Sequence, residues 1–288
     1  MCVNLNDRLL DLILPQFMTA PNFPFINPFF HTVAILECSG PHHIFVGSGV
    51  LLRILGKDYI ATAAHVMDEL PNEVGIAVVK QEIKGCKSQP SSIFARKQAD
   101  GHYQEGLDLA LLSVPASYRQ FIEKEEMSFF DLDANDPPIV TDVCIVSGFP
   151  ANKNYYNRRK RRYDPTCGVY HIEAYMEDHE RVLEIGGDPA RHFALEMNKR
   201  NDFRDGITDQ PIPELFDLHG MSGGGVWHMT RGAGEGFPAC ATALAGILVE
   251  DRDTKRERRG MAKVVKIEEI RNVIAFARSR PETWLFVQ

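Results

Sequence analysis

The chain predicts an all-β fold made of two strand sets and ended by an α-helix. Short apolar segments rich in Val, Ile, Leu and Phe recur along it, separated by Gly, Pro, Asp and Asn in the manner of strands and turns. These segments fall into two series of six, with a charged, Pro-containing stretch between them. The last apolar segment changes period: Ile267, Ile270, Ile274 and Ala277 lie three and four apart, on one face of a helix running from Ile267 to Arg278.

Taken in order, Leu5 to Leu14 reads as a short amphipathic helix, and Ala20 to Phe30, rich in Pro, Asn and Phe, as an extended tether, so residues 1–29 form an N-terminal arm. The first strand series occupies 30–120, with Thr32 to Cys38, His43 to Leu55, Tyr59 to Ala63, Gly75 to Glu82, Ser92 to Lys97 and Leu107 to Val114. Six strands at this spacing suit a small barrel or sandwich. Phe121 to Pro138 keeps no strand period and reads as a connector. The second series, in 139–288, comprises Val140 to Phe149, Val169 to Met176, His192 to Met197, Gly224 to Met229, Ala241 to Val249 and Met261 to Ile267. Asn152 to Pro213 is longer than the early strands of such a set need, and marks an insertion. No internal repeat relates the two halves.

With 288 residues, 44% of them hydrophobic, the chain can bury a core as one large domain or two small ones. A formal net charge of -7 argues against a general binder of nucleic acid or anionic membrane. Cys2, Cys38, Cys86, Cys144, Cys167 and Cys240 are scattered without a C-x-x-C pair, so neither a zinc-ligand spacing nor a dense disulfide framework is visible. The histidines form no metal-ligand spacing either, and no metal or organic cofactor is expected. The opening MCVNLNDRLLDLILPQF carries Asp7 and Asp11 within its apolar stretch and lacks a basic lead, unlike a secretion signal. No run reaches the roughly 18 apolar residues of a membrane span. The expectation is a cytoplasmic protein without a membrane partner.

Three segments carry chemistry. Tyr-Ile-Ala-Thr-Ala-Ala-His65-Val sets a histidine just after an apolar strand of small residues; alone, such a histidine is ordinarily structural. Gly106-Leu-Asp108-Leu-Ala-Leu-Leu sets a carboxylate at the head of an apolar strand, where burial is costly unless a partner shares its charge. Gly220-Met221-Ser222-Gly223-Gly224-Gly225 flanks a serine with four glycines, a backbone free to turn its N–H groups toward one point, as an oxyanion hole requires. Taken alone it also fits a tight hairpin. Together the segments supply base, orienting carboxylate and nucleophile in the order His, Asp, Ser, the first two in one strand set and the third in the other.

T-A-A-H at His65, D-L-A-L-L at Asp108 and G-M-S-G-G at Ser222 each resemble a signature of the trypsin-like, chymotrypsin-fold serine peptidases. Gly47-Ser48-Gly49-Val50 resembles the turn of that family's bacterial branches, and Ala245-Gly246-Ile247 the start of its specificity-pocket strand. The resemblance covers roughly 30–280. It implies two six-stranded antiparallel β-barrels, chymotrypsin-like, with a C-terminal α-helix packed outside and the active cleft between the barrels. It also implies an endopeptidase in which Ser222 attacks, His65 transfers the proton, Asp108 orients the imidazole, and the N–H groups of Gly220 and Ser222 bind the oxyanion. Met221 stands where secreted members carry an aspartate that pairs with a new N-terminus, and no cysteine adjoins His65, which aligns the chain with the intracellular, bacterial-type branch.

Around the substrate, Phe216 suggests an apolar pocket floor, while Leu248 and Val249 lead into Glu250 and Asp251, carboxylates that would favour a basic side chain. Leu248 occupies the place of a histidine in glutamate-cleaving relatives, against acidic specificity. His219 borders the oxyanion turn and could touch substrate. Arg158-Arg159-Lys160-Arg161-Arg162, with Tyr155, Tyr156 and Tyr163 around it, could hold single-stranded nucleic acid by phosphate contact and stacking, but five loop cations more commonly form a solvated or protein-docking surface. The expected partners are thus a protein or peptide substrate and a regulatory protein, not nucleic acid. The alternative is a latent protease-fold scaffold in which the 158–162 loop does the binding.

Overall fold

The computed structural model describes residues 26–37, 44–68, 74–77, 82–86, 92–94, 107–114, 116–124, 127–134, 143–151, 155–157, 162–164, 168–173, 179–197, 204–205, 219–230, 240–249 and 260–279. The helix expected at Leu5 to Leu14, Phe216, Glu250, Asp251 and Arg158 to Arg161 lie outside them.

The first sheet is built around an 11-residue strand, β2 (Ile44–Ile54), whose residues from Gly47 to Leu52 are all buried. Its partners are β1 (Thr32–Glu37) and β3 (Lys57–Thr62), both antiparallel to it. The sheet continues through β4 (Val74–Ala77) and β5 (Glu82–Cys86) on one side, and β7 (Ala110–Ser113) and β6 (Ser92–Phe94) on the other, in the order β5-β4-β1-β2-β3-β7-β6. A short β8 (Phe130–Asp131) joins β2 in parallel. The run expected as one strand from Gly75 to Glu82 is thus divided between β4 and β5.

The second sheet contains β9 (Val143–Gly148), β12 (Gly168–Glu173), β13 (His192–Met197), β14 (Arg204–Asp205), β15 (Gly225–Thr230), β16 (Cys240–Val249) and β17 (Gly260–Lys266). All its pairings are antiparallel, in the order β13-β17-β16-β15-β9-β12-β14. A separate hairpin, β10 (Tyr155–Asn157) with β11 (Arg162–Asp164), brackets the basic loop. The molecule is therefore mostly β, and its two main sheets, antiparallel apart from the β2–β8 pairing, hold eight and seven strands among the described residues. Neither sheet closes by hydrogen bonding among the described residues, yet the second curls so that β13 returns against β12.

Among the described residues four α-helices accompany the sheets: α1 (Ala64–Asp68), α2 (Ala116–Lys124), α3 (His179–Glu184) and α4 (Ile267–Ser279). A 3-10 turn, Pro28–His31, capped by Asn27, stands where the end of an extended tether was expected. Helix α2 overlaps the start of the expected connector, and its side-chain anchor explains it. The Asp58 carboxylate, fully buried on β3, accepts from Arg53 Nε at 2.8 Å and pairs with Arg119 of α2. A buried carboxylate needs such partners, and here two guanidiniums that reach solvent share it.

One core spans both lobes. Leu51, Leu111 and Ile122 of the first belong to the same cluster as Trp227, Ile247 and Val265 of the second, and Ile267, Ile270 and Ile274 of α4 complete it. Helix α4 is consequently a bridge between lobes, and Arg271 Nη2 donates to the Leu132 carbonyl at 2.9 Å. At the seam, Trp227 Nε1 donates to Ser147 Oγ at 2.9 Å, and Ser147 Oγ lies 2.7 Å from Thr32 Oγ1. Thr32 donates to the Pro28 carbonyl at 2.7 Å. Read as Trp227 to Ser147 to Thr32 to Pro28, this chain uses each hydroxyl proton once and leaves no member of it unsatisfied.

Candidate active site

His65 is the second residue of the short helix α1, which one residue separates from the end of β3, and its side chain is 15% exposed. Its ring Nδ1 lies 2.5 Å from Asp108 Oδ2, and its backbone N–H donates to Asp108 Oδ1 at 2.8 Å. Both carboxylate oxygens are thereby engaged by one residue, which fixes the imidazole by its ring and its main chain together. With Nδ1–H held by a carboxylate, Nε2 is the nitrogen left to exchange protons with a substrate or nucleophile. Asp108 itself, two residues before β7, is only 9% exposed, so its charge is shared with the histidine rather than with bulk water.

The serine turn comes from the other lobe, between β14 and β15. Gly220 and Gly223 adopt φ of 87° and 86°, a region that L side chains rarely enter. A methyl at Gly223 would fall 2.1 Å from the Ser48 carbonyl oxygen and 2.2 Å from Thr62 Oγ1, so close approach as well as torsion demands glycine there. Gly223 N–H donates to Leu248 O, Gly224 N–H to Met221 O, and Leu248 N–H to Gly224 O, each at 2.8 Å. The N–H groups of Gly220 and Ser222 donate to nothing among the described residues. Two unspent donors beside a serine are what a developing oxyanion needs.

Several contacts bring the turn to the histidine. Both approach Gly47 of β2: a Cβ there would lie 2.7 and 2.8 Å from the Val66 methyls, next to His65, and 3.2 Å from the Ser222 carbonyl oxygen. Ser222 is 2% exposed, and its Oγ is buried without a hydrogen-bond partner among the described residues. The hydroxyl is therefore not bonded to His65 in this conformation. Met221 points the other way, fully buried in the second-lobe cluster with Cys144, Val146 and Leu195.

Of the residues expected to meet substrate, His219 is exposed on the turn, and its carbonyl accepts from Ala151 N–H at 2.7 Å. Leu248 and Val249 are 0% and 1% exposed, their side chains packed in the core. Leu248 also has its N–H and carbonyl committed to the serine turn, so it acts as support for that turn. Sequence reasoning noticed Ser48 only as part of a glycine turn and missed its bonds to the site, because its partners lie more than a hundred residues away. Among the described residues no His, Cys, Asp and Glu cluster could hold a metal ion, and no helix is long and apolar enough to cross a membrane.

No known family profile matches the sequence, and no curated protein matches it either. Solved structures do resemble it. GrC is 14% identical over 87% of this chain and 97% of its own, with a TM-score of 0.48. Kallikrein-related peptidase 10 is 15% identical over 88% and 95%, with a TM-score of 0.47. The tobacco vein mottling virus protease is 11% identical over 86% and 83%, with a TM-score of 0.43. Likeness at this level leaves the chemistry to be decided by the residues themselves.

Proposed function

We propose that the chain is a serine endopeptidase acting through an acyl-enzyme intermediate, with Ser222 as nucleophile, His65 as general base and then acid, and Asp108 as the orienting carboxylate. What supports this reading is the His65–Asp108 pair, gripped at both carboxylate oxygens, together with a serine turn that keeps two unspent N–H donors and approaches Gly47, as does Val66 next to His65. In the reaction the Ser222 oxygen bonds to the substrate carbonyl carbon while its proton passes to His65 Nε2. The carbonyl oxygen takes up negative charge against Gly220 and Ser222 N–H. Collapse expels the amine, which receives the proton from His65, and water repeats the sequence to release the acid. No step calls for a metal or organic cofactor. The architecture proposed with this chemistry is a pair of β-barrels meeting at the cleft, to which the curl of the second sheet lends support.

The substrate class proposed is a protein segment with an extended backbone. His219 is proposed to border it, and Phe216, Glu250 and Asp251 to influence which side chain is accepted. The location proposed is the cytoplasm. Incubating the protein with a peptide library and reading cleavage by mass spectrometry tests the reading. Cleavage by the wild type and its loss in His65→Ala and Ser222→Ala are expected; cleavage surviving both substitutions would defeat it.

A second reading, a latent protease-fold binding protein, draws on one observation: the Ser222 hydroxyl is buried and makes no bond to His65. It predicts no cleavage of any library member and no reaction with serine-directed reagents.

A further inference from the structure

Ser48 lies on β2, in the first lobe, and is completely buried. Its backbone N–H donates to the Ser222 carbonyl at 2.9 Å. Its hydroxyl donates to the Gly220 carbonyl at 2.9 Å and accepts from Phe149 N–H at 2.8 Å. Its own carbonyl accepts from Thr62 Oγ1 at 2.7 Å, and Thr62 ends the strand that leads to His65. One residue thus grips the carbonyls on either side of Met221, reaches the chain leaving β9, and is itself held by the histidine's strand.

The carbonyls of Gly220 and Ser222 decide the direction of the peptide planes in the turn. The Gly220 carbonyl shares its peptide plane with Met221 N–H, and this plane links the one carrying Gly220 N–H to the one carrying Ser222 N–H; rotating it would turn the two donors relative to each other and would break the Ser48 hydroxyl bond. From beneath, the turn is pinned by Met221, whose Cβ and Cε would lie 3.2 and 3.1 Å from a Cβ placed on Gly148. Among the described residues no ionisable side chain bonds to 220–224. The turn is fixed by a neutral hydroxyl above and an apolar side chain below.

We infer that Ser48 is a positioning residue for the acyl-transfer chemistry: it holds the Ser222 turn in its donor-presenting conformation and in register with the strand carrying His65. The inference rests on the function proposed above. Because the holding groups are uncharged, the turn keeps its form across pH and without chain cleavage.

Ser48→Ala tests it, since the substitution removes the hydroxyl but leaves the backbone bonds to Ser222 and Thr62. A displaced turn should lower kcat on an activated peptide ester roughly 10- to 100-fold, the scale of a misplaced catalytic group. KM should stay within about twofold. Thr32→Val is the control for lost stability, because Thr32 is an equally buried seam hydroxyl bonded to Pro28 and Ser147 rather than to the turn; its kcat should match the wild type. Hydrogen–deuterium exchange of peptides covering 219–225 supplies a readout free of catalysis. Exchange should quicken in Ser48→Ala and not in Thr32→Val. If the wild type cleaves no ester, the acyl-transfer reading fails and the exchange comparison still decides whether Ser48 holds the turn. Equal exchange in Ser48→Ala and wild type, or a raised KM with kcat unchanged, would overturn the inference.

Discussion

Asp108 offers the sharpest test at the scale of single residues. It accepts from both the ring and the backbone of His65, so Asp108→Asn keeps most of its shape while presenting an amide where the imidazole N–H needs an acceptor. The expected result is a loss in kcat of about 10⁴-fold with a nearly unchanged melting temperature, the consequence of a wrong tautomer rather than a broken fold. A loss under tenfold would show that Asp108 does not orient the base. The sequence singled out this carboxylate, the histidine and the serine as candidates because each sits in a short segment with its own local logic: a strand end, a strand head, a run of glycines. Ser48 was hidden for the opposite reason. Its hydroxyl bonds Gly220, 172 positions away, and no local pattern encodes a contact at that separation. The buried Cys144 thiol, pushed up to about 12 by burial, is a core residue of low reactivity.

Among the elements, the β2–β3 hairpin carries a correctable strain. Leu55 and Gly56 make the two-residue turn with φ of 51° and 72°, and the left-handed region suits glycine but costs leucine about 1–2 kcal/mol. Leu55 is 49% exposed, so its side chain gives up little core contact if replaced. Leu55→Asn should therefore raise the melting temperature by a few degrees, measured by circular dichroism; a fall would mean that the leucine packs usefully. Two guanidiniums converge on Asp58 nearby, and Asp58→Asn should cost about 2–3 kcal/mol in a urea titration, short of the full penalty of a broken buried pair because Arg53 and Arg119 reach water. The same pair explains why α2 escaped the sequence reading. Of its nine residues, Ile122 is fully buried, and the helix is anchored through Arg119 to a carboxylate on another element, which no apolar periodicity reveals. By contrast α4 was legible because Ile267, Ile270 and Ile274 supply their own burial. That they bridge the lobes depends on what they meet, and was not legible.

The molecule as a whole is tied at its seam by a shared apolar core, a chain of hydroxyls and Arg271, and buried histidines make it sensitive to acid. Burial lowers His228 to about 4, and lowers His31 and His192 in the same direction. His228 folds as a neutral ring, so its contribution is complete above the unfolded value of 6.5 and is lost as pH falls toward 4, and the contributions of His31 and His192 are lost in the same direction. The drop attributable to His228 is at most about 3 kcal/mol. Urea midpoints at pH 7.5 and 4.5 should differ accordingly, with a smaller difference in His228→Phe; identical midpoints in the wild type would contradict the assignment. The two strand series and the terminal helix were readable from composition and period at this scale, whereas the sharing of one core by both lobes was not. That sharing is what brings Val66, next to the histidine, and the serine turn together at Gly47, although His65 and Ser222 are 157 positions apart in sequence.

Labelling of the wild-type and Ser222→Ala proteins with a fluorophosphonate, followed by intact mass, tests the activated serine most directly. One adduct per chain on the wild type and none on Ser222→Ala is the predicted result. No adduct on either protein, or the same adduct on both, would contradict it.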